Sequence, residues 1–307
     1  MNITIPNEFD GILLRQFLRT ELRLSAKLIK HIKFLPNGIL INGEHVTVRY
    51  CLHAGDVLSL ALEDDENAPI EAVDLPIEIL YEDDDLVVPS KPANMPTHPS
   101  HDHYGDTVAN ALAYRYRQSG TPFVFRPINR LDRNTSGLLL IARNRAAAGR
   151  LSEQMKKKQI EKTYLAILDG ELEMREGLID ACLHRTAESI ILREVCSPDT
   201  PDADTALTSY RVLAAQNGHT LVEAHPITGR THQLRVHFAS IGHPITGDDL
   251  YGKPSPDITR HALHAHRLVF FHPTTGERME LFSPMASDIL ELLRLYFPTY
   301  PSERSLL

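Results

Sequence analysis

Strand-like runs outnumber helical ones along this chain, and the two do not alternate regularly. Residues 77–81, 86–88, 136–142, 163–168, 208–214 and 220–224 read as strands separated by turn-rich loops. Beyond the first 62 residues, helical spacing is confined to residues 107–114, to 145–155 behind an Asn144 cap, and to 285–297, where Ile289, Leu292, Leu293 and Tyr296 recur. A doubly wound sheet would need strand–helix–strand repetition. The expected class is therefore α+β, with a mainly antiparallel mixed sheet, flanking helices and a central cleft.

Composition narrows the function classes. The 307 residues carry a formal charge of −8 and no apolar run long enough to span a bilayer. The first six residues lack the basic and apolar segments of a secretory signal. Cys51, Cys182 and Cys196 are few and far apart, which points to a reducing cytoplasm and away from a disulfide framework or thiolate zinc site. The acidity is local. Residues 61–90 hold 11 Asp/Glu and no Lys or Arg, including Glu63–Glu66 and Glu82–Asp85, and read as a solvated linker or loop near a domain boundary. Residues 126–162 hold ten Lys/Arg against three Asp/Glu, a polyanion footprint. Lys156–Lys158 within it fit a solvated helix face equally well.

The amino-terminal region has its own pattern. Residues 10–34 suggest two short helices, the second capped by Ser25 and lined by Lys27, Lys30 and Lys33. A hairpin over residues 38–46 turns at Asn42-Gly43, and residues 55–60 lead into a further strand. Residues 10–60 thus resemble the αL RNA-binding motif of a small-subunit ribosomal protein and of bacterial tyrosyl-tRNA synthetases. The expected division is an RNA-binding module over 1–62, an acidic linker over 63–76 and a catalytic domain over 77–307.

Three segments offer chemistry. In Asn129-Arg130-Leu131-Asp132-Arg133, followed by Thr135-Ser136-Gly137, an acid sits between two arginines ahead of an apolar strand. Flanking cations favour a carboxylate usable as nucleophile or base, though Asp132 in isolation is better explained as a turn residue bonding backbone amides. In Thr231-His232-Gln233-Leu234-Arg235-Val236-His237, a helix from Thr231 would put Thr231 and Arg235 on one face and Gln233 and His237 on another. Arg235 could then hold a carboxylate from elsewhere. On a strand, Lys162 and Tyr164 share a side, Tyr164 serving either as core filler or as a stacking surface for a base.

In order, these motifs resemble the RluA-type pseudouridine synthases from about residue 79 to residue 284. They include Tyr81-Glu82-Asp83 through Lys91-Pro92, Arg130-Leu131-Asp132-Arg133, Lys162-Thr163-Tyr164, Gly229 to His237, Gly247-Asp248 with Tyr251-Gly252, and Leu263-His264-Ala265 with His272-Pro273. Asn129 stands where the family commonly has His, and Asn94 where Gly is usual. The resemblance implies isomerisation of uridine to pseudouridine in structured RNA, with ribosomal RNA favoured over transfer RNA and no metal or organic cofactor. It implies Asp132 as the catalytic nucleophile, Arg235 as its partner, Tyr164 stacked on the uracil and helping to remove the proton from carbon 5, Arg130 filling the RNA stack, and Leu234 lining the pocket. Arg133, Lys162, Lys27 and Lys30 are expected to contact RNA, and a cytoplasmic monomer is expected. The competing classes are a non-catalytic RNA-binding protein on the same fold and a metal-dependent hydrolase. His98/His101/His103 and His261/His264/His266 suggest the latter, but they lack helical metal-site spacing, and the candidate acid lies among arginines.

Overall fold

The computed structural model describes residues 2–22, 24, 29, 32–33, 37–60, 70–100, 102–186, 189 and 191–300. Ser25, Lys27, Lys30, His101 and the acidic run 63–66 lie outside the described residues. Near the amino terminus, β1 (Asn2–Thr4), α1 (Leu14–Thr20), β2 (Ile39–Ile41), β3 (Glu44–His45) and β4 (Val57–Leu60) form a small layered unit, its antiparallel sheet ordered β1-β4-β2-β3. Asn42 and Gly43 both take positive φ, 52° and 87°, the geometry a two-residue hairpin turn demands. Leu14, Phe17 and Leu18 of α1 bury against Ile39, Ile41 and Leu58, giving this unit its own core. Each such side chain contributes roughly 1.5–3 kcal/mol by burial. Arg150 joins the unit to the rest of the molecule, its Nη2 donating to the Leu22 carbonyl at 2.7 Å.

The remaining elements run β5 (Glu78–Glu82), β6 (Leu86–Lys91), α2 (Val108–Gln118), β7 (Arg126–Pro127), β8 (Ser136–Leu138), β9 (Ile141–Ala142), α3 (Arg145–Lys156), β10 (Glu161–Asp169) and β11 (Glu176–Asp180). They continue through β12 (Cys182–Arg185), β13 (Arg193–Cys196), β14 (Leu207–Gln216), β15 (His219–Pro226), α4 (Gln233–Ser240), β16 (Leu263–Phe271), β17 (Arg278–Phe282) and α5 (Ser287–Tyr296). Among the described residues an 11-stranded sheet is ordered β11-β14-β15-β10-β16-β8-β6-β9-β7, with β17 beside β16 and β5 beside β6. Its pairs are antiparallel except β8 with β16. The α+β class and the mixed, mainly antiparallel sheet are thus as expected. No helix among the described residues is long and apolar enough to cross a membrane.

The sheet centre is apolar on both faces because it is covered on both. Val87, Leu139 and Ile141 pack with residues of α2, α4 and α5, while Leu86, Val88, Leu138 and Leu140 pack with Ala147 and Leu151 of α3. This is period-two alternation between two buried layers. The helix of residues 145–155 is present behind its cap, Asn144 Oδ1 accepting from the Ala147 amide at 2.8 Å. Thr107 caps α2 in the same way, paired reciprocally with Asn110.

Two expectations are corrected. Residues 136–142 are not one strand: Pro89 of β6 has no N–H to donate, so the ladder breaks opposite it. Only the Leu139 amide reaches the Pro89 carbonyl, at 3.1 Å, between β8 and β9. The second acidic run does form the loop between β5 and β6, but it is tied down and not a solvated linker. Glu82 accepts from Arg115 and Tyr116 at 2.7 Å each, Asp83 accepts from Tyr81 and pairs with His272 at 2.7 Å, and Asp85 accepts from Asn144 at 2.8 Å. Tyr81 apart, those partners lie 30 or more residues away along the chain, so local charge density alone misreads the run.

Candidate active site

The loop from Asn129 to Ser136 joins β7 to β8 and carries Asp132. Asn129 braces its start: Oδ1 accepts from the Leu140 amide at 2.7 Å and Nδ2 donates to the Leu138 carbonyl at 3.4 Å. Thr97 grips Leu131 twice, donating to its carbonyl at 3.0 Å and accepting from its amide at 3.3 Å. Lys91, 1% exposed, donates to the carbonyls of Arg133, Met95 and Pro92 at 2.7–2.8 Å. Three carbonyls match the three N–H groups of an ammonium. Burial and the charge of Arg260 pull Lys91 down to about 7, while Asp132 opposes them. Asn94, at φ 60°, shapes the turn holding Met95, a left-handed position that Asn tolerates nearly as Gly does.

The far side of the loop is held from β16 and the segment before it. Arg260 Nη1 donates to the Asn134 carbonyl at 2.9 Å, and its Nη2 to Ser136 Oγ at 3.2 Å. Arg260 is itself fixed by Asp288, at 2.6 and 2.8 Å. His261 Nε2 lies 2.8 Å from Thr135 Oγ1. His264 Nε2 faces the Ser283 carbonyl at 3.3 Å and must donate there, so its Nδ1 accepts from Ser136 Oγ at 2.9 Å. Burial pushes both histidines down to about 3, so they serve as neutral hydrogen-bonding groups. Gly137 takes φ +109°, and a Cβ there would land on the Ala265 carbonyl, which explains the glycine after Thr135-Ser136.

Between these anchors the turn closes through its backbone, the Thr135 amide donating to the Asp132 carbonyl at 3.1 Å. No backbone amide among the described residues bonds the Asp132 carboxylate, so it is not spent on the turn. Its side chain, 28% exposed, opens into a cavity of about 660 Å³. Tyr164, Leu234, Arg235, Lys162 and Arg130 line the same space, as do Lys156 and Lys158. Lys157 instead pairs with Glu153 at 2.9 Å on the outer face of α3, so the lysine triplet divides between the two roles. Arg133 is not among the cavity residues; its side chain is exposed and its carbonyl is what Lys91 holds.

Arg235 projects from α4, which starts at Gln233 and not at Thr231. His232, at φ 57°, is left-handed and ends the preceding turn, so Thr231 and Arg235 do not share a helical face. Gln233 and His237 do share one, and both reach Thr208 Oγ1 at 2.9 Å. The guanidinium makes a bidentate pair with Asp248, Nε to Oδ2 and Nη2 to Oδ1, both 2.7 Å. It reaches Asp132 Oδ2 only through Nη1 at 3.8 Å. Burial works against the charge of Arg235, but Asp248 more than offsets it and raises the group further. Burial likewise opposes ionisation of Asp248, and Arg235 reverses the effect and lowers it. In the sequence Asp248 stands out only as part of the Gly247-Asp248 motif, with no partner indicated. The signal was Gly247 itself, at φ +76° with no room for a Cβ against Arg260, which marks a turn built to aim its neighbour.

Tyr164 sits on β10 opposite Ala224 and Ala265, two small neighbours that leave its ring face at the cavity. Burial, with the charge of Asp132 adding to it, pushes its hydroxyl well up, so the phenol stays protonated. Burial also lowers Lys162. The site therefore joins one accessible carboxylate, one fixed guanidinium and one protonated phenol at the floor of a cleft with a basic rim.

Residues 85–240 match the family model described as RNA pseudouridylate synthase, and residues 1–58 match that of the RluD ribosomal pseudouridine synthase N-terminal domain. The chain is 38% identical over 275 residues to an uncharacterized RNA pseudouridine synthase, YjbO, of Bacillus subtilis, covering 89% of this chain and 96% of the relative. It is 33% identical over 310 residues to ribosomal large subunit pseudouridine synthase D of Zymomonas mobilis, covering 95% and 96%. Among solved structures, human RNA pseudouridylate synthase domain containing 1 superposes with a TM-score of 0.56 at 30% identity, over 72% of this chain and 86% of that one. An accessible acid over a basic cleft, on this sheet and in this order of motifs, belongs with these matches: the chain is a member of the RNA pseudouridine synthase family, isomerases that act on uridine in RNA.

Proposed function

We propose that this enzyme modifies ribosomal RNA of the large subunit, with Asp132 as its nucleophile. The observation that carries the assignment is the Asp132 carboxylate, which opens into the basic cleft 3.8 Å from Arg235 while every anchor of its loop is taken by other groups. The target uridine is turned out of the RNA stack, Arg130 fills the gap, and the uracil lies on the Tyr164 ring beside Leu234. Filling the gap offsets part of an unstacking cost of a few kcal/mol. Asp132 adds to the sugar or the base as the N1–ribose bond breaks, the base rotates, and Asp132 is released once carbon 5 has bonded to the ribose; carbon 5 then gives up its proton and N1 gains one, so the product is an isomer. The protonated state of Tyr164 favours stacking and hydrogen-bond donation over proton abstraction. Lys162, Lys156 and Lys158 meet backbone phosphates at the rim, and Arg133 contacts RNA outside the cavity.

Residues 1–62 serve as an RNA-binding module to which Lys27 and Lys30 contribute charge, and 63–76 link it to the catalytic domain at 77–307. The separate core of the first sheet supports that division, and the ribosomal names of the relatives support the substrate class. The protein acts as a cytoplasmic monomer. The test is pseudouridine mapping across total RNA from a deletion strain, with purified protein added back. Loss and restoration of a site in large-subunit ribosomal RNA is expected; loss confined to transfer RNA would overturn the substrate class. Removing residues 1–62 is expected to weaken RNA binding, and equal activity without them would remove the module from substrate capture.

A further inference from the structure

The ribbon formed by β12 and β13 stands apart from the large sheet, and its register sets Cys182 directly opposite Cys196. In an antiparallel pair, residues directly opposite each other project from the same face. The hydrogen-bonding phase of the ribbon is fixed by its neighbours. Leu183 exchanges both backbone bonds with Asp204, at 2.9 and 2.8 Å, so its N–H and C=O point away from β13. Cys182 and His184, one residue to either side, therefore point theirs toward β13. Cys182 and Cys196 are thus a hydrogen-bonded pair, for which the Cα separation is about 5.5 Å. That lies inside the Cα span of about 4.4–6.8 Å seen for disulfides, while the Cβ atoms of a hydrogen-bonded pair, roughly 5.5 Å apart, must draw in toward about 4.5 Å, so closure needs a small local shift of the two strands. The next pair on this face, His184 and Glu194, is already in contact at 2.9 Å, so the two strands stay in register beside the thiols. Both cysteines are free and half-buried, within reach of a small oxidant.

We propose that Cys182 and Cys196 form a reversible cross-strand disulfide, a redox modification site outside the catalytic cleft. One thiolate attacks a low-molecular-weight disulfide such as oxidised glutathione, forming a mixed disulfide and releasing one equivalent of reduced thiol. The second cysteine then displaces the remaining glutathione as its thiol. The two protein thiols lose two electrons and two protons in all, and the oxidised glutathione takes them up as two thiols. In a reducing cytoplasm the resting state is the dithiol, and the bridge forms on oxidation. The ribbon is tied to the scaffold of Arg235: the Arg193 amide donates to the Tyr251 hydroxyl at 3.0 Å, which lies 2.7 Å from His232 Nδ1. At the other end, His237 Nε2 donates to the Ala181 carbonyl at 3.1 Å. The bridge would close the ribbon between these two attachments.

The experiment uses the full chain carrying Cys51→Ser, so that only the ribbon thiols remain. It is treated with oxidised glutathione, digested without reduction and mapped by mass spectrometry. The expected result is simultaneous loss of both thiols, a Cys182–Cys196 cross-linked peptide lighter by two hydrogens than its reduced parts, and full return of both thiols on adding dithiothreitol. Adding Cys182→Ser or Cys196→Ser is expected to leave the remaining cysteine as a stable glutathione adduct. Two separate adducts, disulfides only between molecules, or two persisting free thiols would each overturn the proposal.

Discussion

The Asp132 loop and the basic rim face the same cavity and are built in opposite ways. The loop is held by buried groups that arrive from far along the chain: Thr97 across 34 residues, Lys91 across 42 and Arg260 across 126. The rim residues Arg130, Lys156 and Lys158 are exposed and sit on local structure. The difference matches the roles proposed for the two regions. Bond-making needs a carboxylate fixed to within a fraction of an ångström, and long-range anchors provide that. Phosphate binding needs charge near a surface, where mobile side chains suffice.

Substitution can break the comparison. The largest effect is expected for Asp248→Ala, which leaves Arg235 buried without its bidentate partner. Loss of one member of such a pair costs about 3–5 kcal/mol of stability. Freed to rotate, the guanidinium should lower the rate of conversion by roughly 10²-fold while RNA affinity changes little. Denaturant melts together with single-turnover assays measure both.

Lys91→Met should come next. It strands three carbonyls and costs about 3 kcal/mol. The loss should fall on the chemical step and not on the dissociation constant for RNA. A variant that weakened RNA binding and left the rate alone would place Lys91 with the rim.

Acid should also act on the anchored side. His261 and His264 gain charge in the unfolded chain below 6.5 but stay neutral in the fold until about 3. The unfolded state binds more protons between those values, so stability falls as pH drops through that window, by roughly 2 kcal/mol per histidine at pH 5. Thermal melts from pH 7.5 to 5 test this, and His264→Gln should flatten the slope. The smallest effects belong to the rim. Lys156→Gln or Lys158→Gln should each cost under about 1 kcal/mol of RNA binding and reduce the slope of log affinity against log salt by about 0.7–0.9.

The same contrast explains what was legible in the sequence. Local features read well: the Asn42-Gly43 turn, the Asn144 cap, and the shared face of Gln233 and His237 follow from neighbouring residues. The order of motifs points to the cleft residues Asp132, Tyr164, Arg235 and Leu234, and the fold brings them together. The anchors were not legible, because a lysine 42 residues upstream of its acceptor carries no local sign of its role. The break at Pro89 needed knowledge of which strand lies opposite. The firm partner of Arg235 was missed for a similar reason: Asp248 reaches it only because the Gly247 turn aims it there, across 13 residues.

The central claim is that chemistry depends on the anchored carboxylate and binding on the rim. The most direct test measures, on one RNA, both the dissociation constant and single-turnover pseudouridine formation, for Asp132→Asn and for the combined Lys156→Gln, Lys158→Gln variant. Asp132→Asn is expected to bind like the unaltered enzyme and form no pseudouridine, while the double variant binds several-fold more weakly yet converts at a substantial rate once saturated. Conversion by Asp132→Asn, or unchanged binding by the double variant, would contradict the claim.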